Sequence, residues 1–454
     1  MVSGPRVVRA GIDAVGAALT LLVVLLDVVA ERLRSAQLAR PGTRGLLVLD
    51  AAYSLDAVRL RGLEHAMLSR DLGGWFDVVW HVHPLVGADL REPSSETAGR
   101  PREVKLAPGH LYVEGYPALS AQPRFPLTSF VLAQYLLLRR LHALLRSGEV
   151  QIVRAGDPYY LGLLGLLLAR AHRVPLVLRI NGNYDQIYEA VGRLAYPRLF
   201  KRRWVEKRID RFVLRRADLV AGANRDNLGF ALRNGTPVER GVVFPYGALI
   251  DPVHRTEPDD RRDVRSELGL EGRRLLIAVT RLEPVKHTAD VLRTLAAVRA
   301  HHPDVAAVVI GDGSELPELQ RLASELDLTG HVAFAGSRDQ SWIARALASS
   351  TVYVAPSAGR ALVEAALAEL PLVAYDVDWH SELVLEGTSG LLVPFRDVTK
   401  MAAAATRLLD DPVLATRLGR GARTLAGETM DPEALMDLER RSLEQLLTDR
   451  AVRR

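Results

Sequence analysis

VVIGDGSELPELQRLASELDL, residues 308–328, reads as a strand, a glycine turn and a helix in succession. The apolar run 306–310 stops at Gly311-Asp312-Gly313, and a helical pattern follows. The same alternation extends to both sides. Runs 275–279, 331–335, 352–355 and 372–375 read as strands with helical patterns between them, and 432–447 as a last helix. Upstream, after Pro41-Gly42, strands are expected at 45–50, 76–82, 150–155, 176–180 and 218–221, and helices at 55–68 and 127–145. The stretch 91–122, rich in Pro, Gly and Ser, reads as a long loop. Short apolar runs alternating with helices imply parallel sheets covered on both faces. A stretch dense in Pro, Asp, Arg and Glu, 251–274, separates the two halves and reads as a linker. The expected fold class is therefore α/β, with two Rossmann-like domains facing a cleft and an extra apolar N-terminal helix. The boundaries are 1–40 for that helix, 41–250 and 275–430 for the domains, and 431–454 for a C-terminal helix able to cross back to the first domain.

Bulk properties narrow the function. At 454 residues, with 48% hydrophobic and 25% charged residues, the composition is that of an ordinary globular chain of two to three domains. The absence of cysteine excludes disulfides and thiolate metal sites. A formal charge of +5 favours anionic partners such as nucleotide, lipid phosphate or membrane. It is too small to argue for nucleic acid, and no helix-turn-helix or RNA-binding signature accompanies it. Residues 14–26 form an uncharged apolar run, bracketed by Asp13 and Asp27 and preceded by Arg6 and Arg9. The run is shorter than the roughly 20 residues that span a bilayer. It is compatible with a monotopic or signal-anchor helix, a soluble helix packed on the body, or a cleaved signal.

Position is the informative property of the polar residues, because open parallel sheets bind ligands beyond the carboxyl ends of their strands. In the second half those ends carry Arg281 and Lys286, then Gly311-Asp312-Gly313, then Pro356-Ser357-Ala358-Gly359, then Asp376, Asp378 and Glu382. Arg281 offers a planar fork for a diphosphate and Lys286 a point charge. Gly359 allows close backbone approach and opens a helix near Arg360, whose N–H groups suit an anion. Glu364, a turn further in, can accept from sugar or ribose hydroxyls, or simply satisfy the helix dipole.

Residues 277–421, about a third of the chain, resemble the C-terminal domain of the retaining family 4 glycosyltransferases of GT-B fold. The motifs are VTRLEPVKH (279–287), the opening stretch 308–328, HVAFAG (331–336), VYVAPS (352–357), LVEAALAELPLVAYD (362–376) and GTSGLLVPFRD (387–397). The first half resembles the family more loosely, in ADLVAGANRDN (217–227) and FPYGALID (244–251). The resemblance implies that Arg281 and Lys286 hold a donor diphosphate and Glu364 its ribose. Gly311, Gly313, Ser357, Gly359, Ala361 and Leu362 would lie around the nucleotide. Three departures stand out. Glu364 matches the second of the family's two glutamates, but none between Pro356 and Arg360 matches the first. The first loop, Ala51-Ala52-Tyr53-Ser54, lacks the usual glycine pair. Asn181-Gly182, after Arg179, replaces a His-Gly. Tyr53, Arg179 and Asn181 are accordingly the expected residues of the sugar or acceptor side.

The implied reaction is transfer of a sugar from a nucleoside diphosphate to an acceptor hydroxyl with retained configuration, in cell-envelope glycan or glycolipid synthesis. Neither a cofactor nor a metal is expected. An Asp376/Asp378 carboxylate pair is the weaker, metal-binding alternative. The missing glutamate keeps open a non-catalytic binding subunit, and the two-domain fold a sugar-nucleotide epimerase. Expected partners are the nucleotide-sugar, a glycan or lipid-linked acceptor and an anionic membrane surface, with room for a homo-oligomer and no nucleic acid. Residues 201–216, KRRWVEKRIDRFVLRR, hold eight Lys or Arg against two acidic residues, with Trp204, Val205, Phe212 and Val213 apolar. A basic amphipathic helix there, with the apolar N-terminus, points to a cytoplasmic protein, peripheral or monotopic on the inner face of the cell membrane.

Overall fold

The computed structural model describes residues 4–34, 43–86, 98–197, 199–256, 263–357 and 359–452. Pro41-Gly42, Ala358, residues 91–97 of the expected loop and 257–262 of the expected linker lie outside the described residues.

The first half builds one sheet from β1 (Gly45–Leu49), β2 (Val78–His83), β3 (Arg102–Ala107), β4 (His110–Glu114), β5 (Ile152–Ala155), β6 (Leu176–Ile180), β7 (Leu219–Gly222) and β8 (Gly241–Val243). Their order is β3-β4-β2-β1-β5-β6-β7-β8. Every residue of β1 is buried, as an apolar strand covered on both faces requires. The second half builds β9 (Arg274–Val279), β10 (Val305–Ile310), β11 (Val332–Gly336), β12 (Val352–Ala355), β13 (Leu372–Tyr375) and β14 (Gly390–Val393), in the order β11-β10-β9-β12-β13-β14. In each sheet the chain works outward to one side and then returns to fill the other. The reversals fall between β1 and β5 and between β9 and β12, and such reversals open a crevice at the strand ends.

Helices α1 (Gly4–Arg34), α2 (Pro126–Arg146), α3 (Tyr160–His172), α4 (Arg203–Leu214) and α5 (Arg225–Arg233) share one core with β1, β5 and β6. The second half contributes α6 (Ala361–Leu367) and the final α7 (Pro432–Val452). Helix α7 packs on the first sheet. Leu443 is buried with Leu46, Val48 and Phe76, Glu439 pairs with Arg154 at 3.0 Å, and Arg440 donates to the Leu72 carbonyl at 2.9 and 2.6 Å.

Helix α1 is longer than its uncharged centre, and it turns polar residues near both ends inward, with Val24 and Val28 packed on the core between them. Asp13 accepts from the Leu127 and Thr128 amides at 3.0 and 2.9 Å, so it caps α2, whose own N-cap residue Phe125 provides no side-chain bond. Gly16 lies so close to Thr128 that a Cβ there would sit 2.7 Å from its hydroxyl. Glu31 is buried, while Val15, Leu19, Leu22, Leu26 and Leu33 are at least half exposed. The 26 residues Arg9–Arg34 are long and apolar enough to cross a membrane by length and composition.

The structure corrects four expectations. Residues 102–107 and 110–114 are not loop. They form a hairpin around Pro108-Gly109, with Gly109 at φ 73, and β3 runs antiparallel to β4 on an otherwise parallel sheet. Edge strand β3, REVKLA, has no fully buried residue, so it lacks the apolar run that marks the others. The expected helix 55–68 is broken into Leu55–Leu60 and Glu64–Leu68 at Gly62, whose φ is 58. β8 and β14 are further strands, short and each begun by a glycine. On α4, Val213 is buried and Val205 half-buried, so only Trp204 and Phe212 face outward. Arg208 stacks on the Trp204 ring and Arg216 on Phe212, at 5.2 and 3.9 Å. Glu206 and Asp210 turn inward to pair with Arg203 and Lys207.

Candidate active site

The strand ends at the two reversals face one another across a cavity of about 1860 Å³. From the second domain it is lined by Arg281, Lys286, Ser357, Gly359, Arg360 and Asp378. Tyr53, Asp157, Asn181, Tyr184 and Tyr196 line it from the first.

The loop after β9 carries the two cations. It is pinned by backbone bonds from the Thr280 amide to the Ile310 carbonyl (2.9 Å) and from the Leu282 amide to the Asp312 carbonyl (3.0 Å). Here Gly311 and Gly313 are needed. A Cβ on Gly311, whose φ is 133, would lie 1.8 Å from the Thr280 carbonyl oxygen, and one on Gly313 2.3 Å from that of Leu282. Both glycines therefore buttress the Arg281 loop and are not among the residues lining the cavity. Arg281 is exposed and Lys286 half-buried. Burial, and then the Arg281 charge, bring the Lys286 ammonium down to about 8 against a smaller opposing effect of Asp378. Two neighbouring cations in a partly desolvated wall form a receptor for an anion.

The segment after β12 supplies the adjoining surface. Among the described residues the Ser357 hydroxyl is buried without a hydrogen-bond partner, and apart from its chain neighbours nothing lies within 4 Å of where a Gly359 Cβ would stand. A ligand can thus reach the backbone at Gly359. Leu362 is buried in the core of the second domain, and neither it nor Ala361 is among the lining residues. Glu364 also lies behind the lining. Its carboxylate accepts from Arg360 Nε at 3.1 Å and comes within 4.0 Å of His254, so it bears on the cavity by holding Arg360. Asp378 lines the cavity but Asp376 does not, so the two carboxylates do not converge there. Glu382 instead accepts from the Arg225 amide at the start of α5, at 3.0 Å, and ties the two domains together.

On the opposite wall Tyr53 and Asn181 line the cavity. Arg179 does not. It lies over the Phe244 ring at 5.7 Å and donates to the Pro245 carbonyl at 3.4 Å. Asp157, two residues past the end of β5, is a lining residue that the reading of the sequence missed. Its carboxylate accepts from the Tyr159 amide at 2.8 Å and the Tyr196 hydroxyl at 2.5 Å. Burial raises it to about 6, with the Tyr196 bond opposing. The signal was available, since the strand-end rule applied to β9 and β12 also points to β5.

Two family models match the chain, one described as Glycosyltransferase Family 4 over residues 97–247 and one as Glycosyl transferases group 1 over 260–425. An alpha-D-kanosaminyltransferase of Streptomyces kanamyceticus is 30% identical over 274 residues, 57% of this chain and 67% of that protein. A GDP-mannose-dependent alpha-(1-6)-phosphatidylinositol monomannoside mannosyltransferase of Mycolicibacterium smegmatis is 28% identical over 312 residues, 65% and 77% of the two chains. Among solved structures, Anabaena HepE in complex with UDP-glucose superposes with a TM-score of 0.64 at 18% identity, covering 88% of this chain and 99% of that one. The sucrose-phosphate synthase of Thermosynechococcus elongatus gives 0.68 at 19%, covering 89% and 100%. With both halves matched in order and the two-sheet architecture shared, the chain belongs to glycosyltransferase family 4 and has the GT-B fold.

Proposed function

We propose that the protein transfers a sugar, with retention of configuration, from a nucleoside diphosphate to an acceptor hydroxyl in a cell-envelope glycan or glycolipid. The observation that carries this reading is the adjacency of Arg281 and Lys286 at the β9 reversal, beside the buried Ser357 hydroxyl and the open backbone of Gly359. As the bond from the sugar to the diphosphate breaks, negative charge grows on the leaving group. Fixed cations aimed at that charge lower the barrier without a metal. The second domain then serves the donor, with Glu364 holding Arg360 at the ribose side. The first serves the acceptor, with Tyr53, Asn181 and Asp157 around the reacting hydroxyl. The names of the relatives agree with this assignment. One uses GDP-mannose on a phosphatidylinositol monomannoside, and a structural neighbour holds UDP-glucose. The outward apolar side of α1 supports work at the inner face of the cell membrane.

Incubating the full-length protein with a panel of nucleotide-sugars tests the reading. Transfer or slow hydrolysis supports it. Isomerised sugar-nucleotide would identify an epimerase, and binding without turnover a non-catalytic subunit.

A further inference from the structure

We propose that Glu31, His142 and His172 form a binding site for one divalent transition-metal ion of zinc type, which clips α1 to the body of the first domain. The three residues come from α1, α2 and the last position of α3, and all are buried. One ligand atom from each lies within 4.8 Å of the other two. Imidazole nitrogen and carboxylate oxygen are the donors zinc takes when no thiolate is present.

Details of the cluster favour an ion over a purely structural contact. Arg146 and Arg34 both bond the same Glu31 oxygen, Oε1, at 3.0 and 3.3 Å. Glu31 Oε2 is left buried without a partner among the described residues. Buried polar atoms of this kind are rare and call for an explanation such as a bound ion. His142 Nδ1 and His172 Nε2 approach to 2.6 Å, so at most one proton lies between them. Around a tetrahedral zinc, with Zn–N near 2.0–2.1 Å, two such nitrogens stand about 3.3 Å apart, a small opening from the present contact. A water can complete the coordination, as at zinc sites with three protein ligands. The two arginines would remain outer partners, orienting the Glu31 carboxylate.

This site is separate from the sugar-transfer cavity. α3 starts near the cavity end of β5 and His172 closes it, so 13 residues of helix, about 18 Å, lie between. The proposal therefore stands or falls independently of the donor reading.

The test uses tag-free, full-length protein, stripped with chelator and titrated calorimetrically with zinc chloride, with cobalt(II) as a coloured probe. Expected are one ion per chain, the visible absorption of four- or five-coordinate cobalt, and a zinc-dependent rise in Tm. Glu31→Gln and His172→Gln, each first shown to fold by circular dichroism, should weaken zinc binding at least about tenfold and lose the Tm rise. Nucleoside-diphosphate binding should be unchanged in Glu31→Gln. Zinc binding no tighter in wild type than in Glu31→Gln, or a six-coordinate cobalt spectrum, overturns the proposal.

Discussion

The Tyr196 hydroxyl donates to Asp157 at 2.5 Å, yet burial still holds that carboxyl up at about 6. Lys286, on the facing wall, is held down at about 8. The signs set a pH window. Asp157 takes up its proton below about 6, and Lys286 loses its proton above about 8. If the carboxylate positions the acceptor hydroxyl and the ammonium holds the diphosphate, kcat/KM rises through the first value and falls through the second. Asp157→Asn should lower activity and remove the acid limb while keeping the alkaline one. An unchanged acid limb in that variant would take Asp157 out of the reaction.

Arg281→Ala and Lys286→Ala should each raise the barrier by about 2–4 kcal/mol with the fold intact, since each removes a charge from the leaving diphosphate. Steady-state kinetics with circular dichroism as a folding control checks this. Turnover close to wild type in both variants would sink the donor assignment.

Glu364→Gln removes a charge that lies behind the cavity and holds Arg360 at 3.1 Å. Affinity for the free nucleoside diphosphate should fall, but by less than the about 1.5–3 kcal/mol of a direct hydrogen bond to a charged group, because Glu364 acts through Arg360. A lower Tm with unchanged nucleotide affinity would reduce Glu364 to a packing role.

The place of Arg281 and Lys286 on the cavity wall was legible in the sequence because they follow an uninterrupted apolar strand, which is all the strand-end rule needs. Gly311 and Gly313 were legible as special, but not their task. Only the structure shows that their missing Cβ atoms make room for the carbonyls of Thr280 and Leu282. Edge strand β3 was hidden because it buries too little to need an apolar run. Glu31, His142 and His172 were beyond reach, since no local spacing links positions brought together by three helices. The inward polar residues of α1 were hidden for a related reason. Asp13 looked like the border of an apolar run, and its role as the cap of α2 depends on a long-range contact.

Sugar transfer should survive chelation. If Arg281 and Lys286 hold the diphosphate, they provide the charge neutralisation that a metal would otherwise supply there. Initial rates on a soluble acceptor with and without EDTA decide this. A complete loss reversed by added magnesium or manganese would revive a metal role for Asp378.

The final prediction is that the protein binds anionic membranes through the helix layer on one face of its first sheet. On α1, Asp13, Gly16, Val24, Val28 and Glu31 turn to the body while Val15, Leu19, Leu22, Leu26 and Leu33 turn out. Fully burying one leucine side chain is worth about 1.5–3 kcal/mol, so this outward row has a strong preference for hydrocarbon over water. In the same layer α4 presents Trp204 and Phe212 among the exposed cations Arg208, Arg211, Arg215 and Arg216, a surface suited to anionic headgroups. The two helices should differ in their response to salt, since screening weakens the cationic contacts but not the apolar ones. In co-sedimentation the full-length protein should pellet with anionic vesicles at low salt and partly stay bound at high salt. Leu19→Lys combined with Leu26→Lys should abolish the salt-resistant part, and Arg208→Glu with Arg211→Glu the salt-sensitive part. Protein that remains in the supernatant with anionic vesicles at low salt would rule out the membrane surface and point to a soluble acceptor.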